Sequence, residues 1–426
     1  MGSMSELDRR RIAVEAVTSS KMSVVAAASS VGRSEQWLHK WLRRFETAGV
    51  EGLADRSRAP KTRPTAIGKE VAARILTVRR SLEESEFGGV GAEAILYELE
   101  LEGFAPRPSK ATVERVLARA GVTKKGRGRD RSGERHRPRP KAAGPGIWQQ
   151  ADWVGPRYLA RRVRFSSIHL VDVGGGGAAA AQYGDERLIN VAGFLTGKAW
   201  PNLGIPFSLQ IDNAFSMSSP KAKLNPWNVF VRTCLFFGVE VVVSPPNELG
   251  WAQHVESFNG LWQNRTIRRH RYQEVAQVQA SSDRFCRYYN NDRPHPGLRV
   301  ANHGTRFPAQ LLQTRRESLR FPPEGFSVSD HQDARGRLRV PLARGRLTFL
   351  RRVQTGGVIE VAGAPFFVPV ATEGLCVAAT ILTSRRQLTI RLDGEIIAQH
   401  PFPIGETPVS PYHPLARRGL FYDIHG

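Results

Sequence analysis

From Trp148 onward the chain changes its hydrophobic period, and that change limits the folds open to it. Apolar, β-rich stretches at 147–154, 165–173 and 178–183 read as strands, with the run Gly174 to Gly177 as a turn between the last two. There follow a helix over 187–200, a strand over 206–212, a helix over 227–237 closed by Gly238, and a strand over 239–244. Two more helices run from His254 to about Arg269 and over 278–290. Three strands followed by helices and strands in turn predict an α/β layer with a mixed sheet. After Pro322 the texture becomes all-β. Short strands are expected at 337–340, 346–350, 358–361, 364–368, 375–381, 387–392 and 395–400, with Asp393-Gly394 as a hairpin turn. They predict a small β-barrel over 330–402 and a tail over 403–426.

The part before Trp148 is helical in pattern. Within a first unit at 4–60, the small-residue run Ala26 to Ser30, Val31 and Gly32 fit the turn of a helix-turn-helix, and Ser34 suits an N-cap. The next helix, Glu35 to Phe45, puts Trp37, Leu38, Trp41, Leu42 and Phe45 on one face. Gln36, His39, Lys40, Arg43 and Arg44 lie off that face, either as DNA contacts or as an ordinary solvated surface. Arg56, Arg58, Lys61 and Arg63 sit in a proline-punctuated stretch that suits a minor groove or a spacer equally. A second helix-turn-helix-like unit is expected at 66–120. Ser109 caps its last helix, Val113, Val116 and Leu117 point inward, and Thr112, Arg115 and Arg119 point outward toward DNA. Residues 121–147 carry Lys124, Lys125, Arg127 and Arg129 among glycines and prolines and read as a basic flexible linker. The opening Met1-Gly2-Ser3-Met4 looks like an expression scar, so natural residues are expected from Met4.

Composition supports a polyanionic partner. The 426 residues hold 62 Lys+Arg against 39 Asp+Glu, a formal charge of +23. Such an excess suits nucleic acid, and no apolar run approaches the roughly 20 residues that span a bilayer, so no membrane is expected. Cys234, Cys286 and Cys376 are far apart and include no Cys-x-x-Cys pair, so reduced thiols are expected rather than a zinc finger.

Against this basic background three acids stand out. Asp152 ends Gln149-Gln150-Ala151-Asp152, Asp212 ends Leu209-Gln210-Ile211-Asp212, and Glu256 opens a helix in Val255-Glu256-Ser257-Phe258-Asn259. If the two strands are neighbours, both aspartates emerge together and the helix brings the glutamate across them. Three carboxylates in one place repel unless cations lie between them, and hard oxygen donors suit two Mg²⁺ ions, with Mn²⁺ as a substitute. Asp172 suits either an acid that supports the ligands from behind or a structural role, and Glu248, in a loop, ranks below Glu256 as a ligand. His254 is either a phosphate contact or a solvated helix-start residue. Arg293 and His295 either touch DNA or, the favoured reading, hold their loop to the core.

Val255-Glu256-Ser257-Phe258-Asn259-Gly260, then Tyr288-Tyr289-Asn290-Asn291-Asp292-Arg293-Pro294-His295 and Phe307-Pro308-Ala309, resemble bacterial insertion-sequence transposases with a retroviral-integrase-type core. The resemblance spans about 148–312 and implies a ribonuclease-H-like integrase catalytic core at 148–315. It implies a DDE site of Asp152, Asp212 and Glu256 that cuts the 3′ ends of an element and joins them to target DNA. It further implies a homo-oligomeric synaptic complex on double-stranded DNA, an accessory targeting or ATPase protein, and a cytoplasmic, nucleoid-associated setting in bacteria. Two other readings stay open: a DNA-binding regulator derived from a transposase, and a ribonuclease-H-like nuclease without strand transfer. The chain departs from the family pattern in a longer spacing between Asp212 and Glu256, in the Gly174–Gly177 run, and in Asn213-Ala214-Phe215, which lacks the acid common two residues further on.

Overall fold

The computed structural model describes residues 4–55, 67–123, 142–159, 162–213, 224–246, 248, 250–295, 297–298, 305–331 and 339–413. The chain divides into two compact units, Met1–Ile67 and Gly68–Gly426.

The first unit packs three helices, α1 (Glu6–Thr18), α2 (Val24–Ser30) and α3 (Glu35–Ala48). Each starts at a serine, Ser5, Ser23 or Ser34, whose hydroxyl accepts a backbone N–H three residues on. This satisfies one of the donors that a helix start leaves unpaired. Gly32, at φ +67°, makes the turn between α2 and α3. Ala13, Ala27 and Ala28 let the helices approach, and Leu38, Trp41 and Leu53 fill the space between them. The buried Arg10 guanidinium lies over Trp41 at 3.9 Å, donates to Leu53 O at 3.0 Å and pairs with Asp55 at 2.9 Å.

The second unit opens with another helical trio, α4 (Lys69–Glu84), α5 (Ala92–Leu101) and α6 (Lys110–Arg119). Ser109 caps α6 by accepting the Thr112 N–H at 3.2 Å, and Val113, Val116 and Leu117 are buried. Next come β1 (Trp148–Tyr158), β2 (Arg164–Asp172) and β3 (Ala178–Tyr183), then α7 (Leu188–Phe194), which runs through a π turn into α8 (Trp200–Leu203). The core continues with β4 (Ser208–Ile211), α9 (Val229–Phe236), β5 (Glu240–Val243), α10 (Gln253–Arg265), α11 (Val275–Asn291) and α12 (Pro308–Thr314). The last strands are β6 (Arg346–Arg352), β7 (Val358–Val361), β8 (Ala364–Phe367), β9 (Cys376–Leu382), β10 (Gln387–Leu392) and β11 (Glu395–Pro401).

These strands do not form the separate small barrel expected over 330–402. They extend the core sheet, in the order β3-β2-β1-β4-β5-β6-β9-β10-β11, with β7 and β8 as a separate pair. The join is parallel, Val241 to Val243 of β5 against Leu347 to Phe349 of β6. Val241, Val242 and Val243 are each fully buried, as a central parallel strand covered on both faces requires. Sequence alternation tells which face a residue takes but not which strand lies beside it, so the join was not legible. No strand forms at the 339–340 end of the expected stretch 337–340; its first two residues lie outside the described set.

The trio α4–α6 packs on the core through α11. Phe87 meets the rings of Phe285 at 5.5 Å and Tyr288 at 5.8 Å, and the Gly89 N–H donates to Tyr288 Oη at 3.2 Å. Arg284 pairs with Glu86 at 2.9 Å and Arg306 with Glu100 at 2.8 Å. Among the described residues no helix is long and apolar enough to cross a membrane.

Candidate active site

Gln150 and Gln210 each stand two residues before an aspartate, so each shares that aspartate's face of its strand. β1 and β4 run parallel with Gln150 opposite Gln210, and Asp152 and Asp212 each lie two residues further along. Asp212 follows the end of β4 and is exposed. Asp152 does not end its strand as expected: β1 continues to Tyr158 and pairs Asp152 with His169 of β2.

The two glutamines form a buried floor. Gln150 Nε2 donates to Gln210 Oε1 at 2.9 Å, and Gln210 Nε2 donates to Ser244 Oγ at 3.1 Å and Trp251 O at 3.0 Å. Gln150 Oε1 accepts the His254 N–H at 3.0 Å, which ties the start of α10 to β1. Glu256, in the first turn of α10, is exposed, and its carboxylate accepts the Gly250 N–H at 3.1 Å.

The three acids meet electrostatically. Burial pushes the Asp152 carboxyl up to about 6, and the charges of Asp212 and Glu256 push the same way, against hydrogen bonds from Asn259 and the Trp153 backbone. Among the described residues, however, no three His, Cys, Asp or Glu side chains stand close enough to hold an ion as they are placed. Glu256 is turned to its own loop through Gly250, and like charges oppose closer approach. The donor set itself, three carboxylates with hard oxygens, fits Mg²⁺ or Mn²⁺.

Two residues of this site were not picked out from the sequence. Asn259, one helical turn after Glu256, donates from Nδ2 to Asp152 Oδ2 at 2.8 Å. Its Oδ1 therefore faces the His169 Nδ1 at 2.6 Å, which must be the donor. His169 is fully buried between Phe258 and Trp262, and burial holds its pKa down to about 4, so the ring stays neutral. A histidine inside an apolar strand was the available signal.

The other singled-out residues take structural positions. Asp172 is fully buried and accepts from Gly175 N at 2.5 Å, Gly146 N at 2.8 Å and Gln149 Nε2 at 3.3 Å. This explains the glycine run, since a Cβ at Gly174 would stand 2.1 Å from Gly144 O. Glu248 receives a two-pronged contact from Arg352 at 2.7 and 2.9 Å. His295 donates from Nε2 to Tyr289 O at 2.9 Å and Arg293 lies 5.2 Å over the Tyr289 ring, so both hold their loop to α11. His254 is exposed at the start of α10.

On α3, Gln36, His39, Lys40 and Arg43 are exposed, but Arg44 is half-buried, donating to Ala54 O at 2.7 Å and lying 4.5 Å over Trp41. On α6, Arg115 and Arg119 are exposed, whereas Thr112 is half-buried, with its hydroxyl 2.9 Å from Ser109 Oγ. Arg56, Arg58, Lys61, Arg63, Lys124, Lys125, Arg127 and Arg129 lie outside the described residues.

Comparison with known families gives matches to a homeodomain-like domain at residues 37–117, a helix-turn-helix domain at 9–61 and an integrase core domain at 239–301. These matches place helix-turn-helix units ahead of part of an integrase core, and none of them spans half of the chain. Among solved structures, the HTLV-2 integrase catalytic core domain in complex with magnesium (dimeric form) is 16% identical, with 36% of this chain and 92% of that one covered and a TM-score of 0.27. The simian T-cell lymphotropic virus intasome in complex with PP2A regulatory subunit B56 gamma is 15% identical, covering 75% and 96%, with a TM-score of 0.33. The catalytic core domain of BIV integrase is 14% identical, covering 41% and 98%, with a TM-score of 0.29. Likeness this distant transfers no residue roles.

Proposed function

We propose that the chain is a DDE transposase or integrase of the insertion-sequence type, cutting the 3′ ends of an element and joining them to target DNA. Asp152, Asp212 and Glu256 would hold two Mg²⁺ ions, with Mn²⁺ as a substitute. The observation that carries this reading is the pairing of Gln150 with Gln210 on adjacent parallel strands, each glutamine two residues ahead of one of the aspartates. A bound cation would make a water or hydroxyl oxygen a stronger nucleophile and offset charge on the phosphate. The chain's own part is to fix the carboxylates: the Gln150–Gln210 floor sets strand level, and His169 and Asn259 set the rotation of Asp152. The exposed residues Gln36, His39, Lys40, Arg43, Arg115 and Arg119 would bind double-stranded end DNA, with the basic stretches at 56–63 and 124–129 adding phosphate contacts. Two ends must be handled together, so the working form would be a homo-oligomeric synaptic complex, recruited to its target by an accessory protein.

Labelled end DNA, Mg²⁺ and a plasmid target test the reading. Joined products support it, nicks without joining indicate a nuclease, and a gel shift with no cutting indicates a DNA-binding regulator. End binding should also weaken by about 10³-fold or more between about 50 and 200 mM salt, the loss expected for six or more phosphate contacts. A flat salt response would remove the basic stretches from the interface.

The site predicts a pH dependence. Asp152 takes up its proton at about 6, and a proton and a cation compete for the same oxygens. Cation affinity should therefore rise with pH and level off above that value, being about tenfold weaker one pH unit below it. Titrating Mn²⁺ at both pH values, with its free-ion electron paramagnetic resonance signal as readout, checks this.

A further inference from the structure

We propose that Arg351 and Arg352, neighbours on β6, are positioning residues for the acid centre, each gripping a segment beside or ahead of one of its acids. The inference rests on the reading of Asp152, Asp212 and Glu256 as the cation site. Arg351 is buried and spends its donors on Asn213 Oδ1 at 2.7 Å, Ser244 O at 3.2 Å, Leu350 O at 2.8 Å and Glu360 O at 2.8 Å. Asn213 directly follows Asp212, and its own N–H donates to the Asp212 carboxylate at 2.7 Å. Arg352 faces the other way and forks onto Glu248 at 2.7 and 2.9 Å, while Glu248 accepts from Trp251 Nε1 at 3.2 Å. Trp251 in turn offers its carbonyl to Gln210 at 3.0 Å, and Glu256 stands one turn into the helix that follows.

The plainer reading is that both arginines only fasten β6 to the sheet. Backbone pairing of Val241 to Val243 with Leu347 to Phe349 already does that. Taking a guanidinium out of water is costly, so it is a poor fastener where main-chain hydrogen bonds suffice. Its side chain reaches a residue beside Asp212, and that of Arg352 reaches the loop ahead of Glu256. Side chains that orient metal-binding groups typically change metal affinity by about 10–100-fold when removed.

The test uses the full chain and Mn²⁺, followed by the free-ion electron paramagnetic resonance signal, with a melting curve on each variant. Asn213→Ala and Arg352→Gln are expected to raise the Mn²⁺ dissociation constant by about tenfold or more while melting with the wild type. Arg351→Lys, which keeps the charge but not the fork, should show a smaller loss than Arg351→Gln. Arg346→Gln breaks the ion pair with Glu240 at the far end of the same strand (3.6 Å) and should bind Mn²⁺ as the wild type does. Unchanged Mn²⁺ binding in Asn213→Ala and Arg352→Gln overturns the proposal alone, as does an equal loss in Arg346→Gln. A wild type that binds no Mn²⁺, or that binds it no better than Asp152→Asn, overturns the cation site and this proposal with it.

Discussion

Replacing Asp152 with Asn should reduce joining of end DNA to a target by on the order of 10²–10³-fold or more, while the protein still shifts end DNA in a gel. The loss is at least the scale seen when one preorganised charge-stabilising group is removed from an active site. Asn keeps the size of the side chain but halves its acceptor capacity, and it turns an N–H donor toward whatever the carboxylate held. Asn259 Nδ2 donates to Asp152 Oδ2, so the variant's amide oxygen can keep that bond only by turning its NH2 to the place of the other carboxylate oxygen. Binding should persist because the helices proposed to meet DNA lie outside the sheet that carries Asp152. A variant that joined strands at wild-type rate would remove Asp152 from the chemistry. One that lost gel shift and activity together would point to a folding defect, which a melting curve would reveal.

A chain stopped at residue 330 should fail to fold as a core. A detachable C-terminal module would leave the remainder intact, but here the cut removes β6 and exposes the edge of β5. Leu347, Phe349, Val377, Ala379, Ile381, Leu388 and Ile390 share one hydrophobic cluster with Leu209, Phe230 and Val241. Each large apolar side chain exposed forfeits roughly 1.5–3 kcal/mol, so a few of them match the whole stability of an ordinary domain, about 5–15 kcal/mol. Exposed, flat and apolar, β5 would also be a template for edge-to-edge aggregation. The expected product is insoluble or melts without a cooperative transition. A soluble truncated chain with a sharp unfolding transition would show that the core is self-sufficient.

What could be read from the residues follows their range of action. Local signals were reliable: the span of α6 and its Ser109 cap, the Ser34 cap of α3, the span of β3, and the Asp393-Gly394 turn, where both residues take positive φ at 51° and 86°. The order of acid-bearing elements was also legible, because each element has its own period, although Asp152 lies inside β1 and not at its end. The rest depended on partners distant in the chain. Nothing near Leu347 announces that it will lie against Val241, and nothing near His169 announces Asn259. Thr112 and Arg44 face outward on a helical wheel, yet in the fold a neighbouring hydroxyl or carbonyl engages each of them. β1 runs beyond the expected 147–154, through Gly155 and Pro156 to Tyr158, with a register shift between Val154 and Arg157.

The pairing of Val243 with Phe349 has a consequence in time as well as in space. A ribosome delivers β5 long before β6 exists, and loop closure over so many residues is slow. The sheet cannot be completed, nor Arg351 reach Asn213, until the chain has been translated past β6. A nascent chain, or one cut short ahead of β6 by a frameshift, would carry its helical units beside an unfinished sheet.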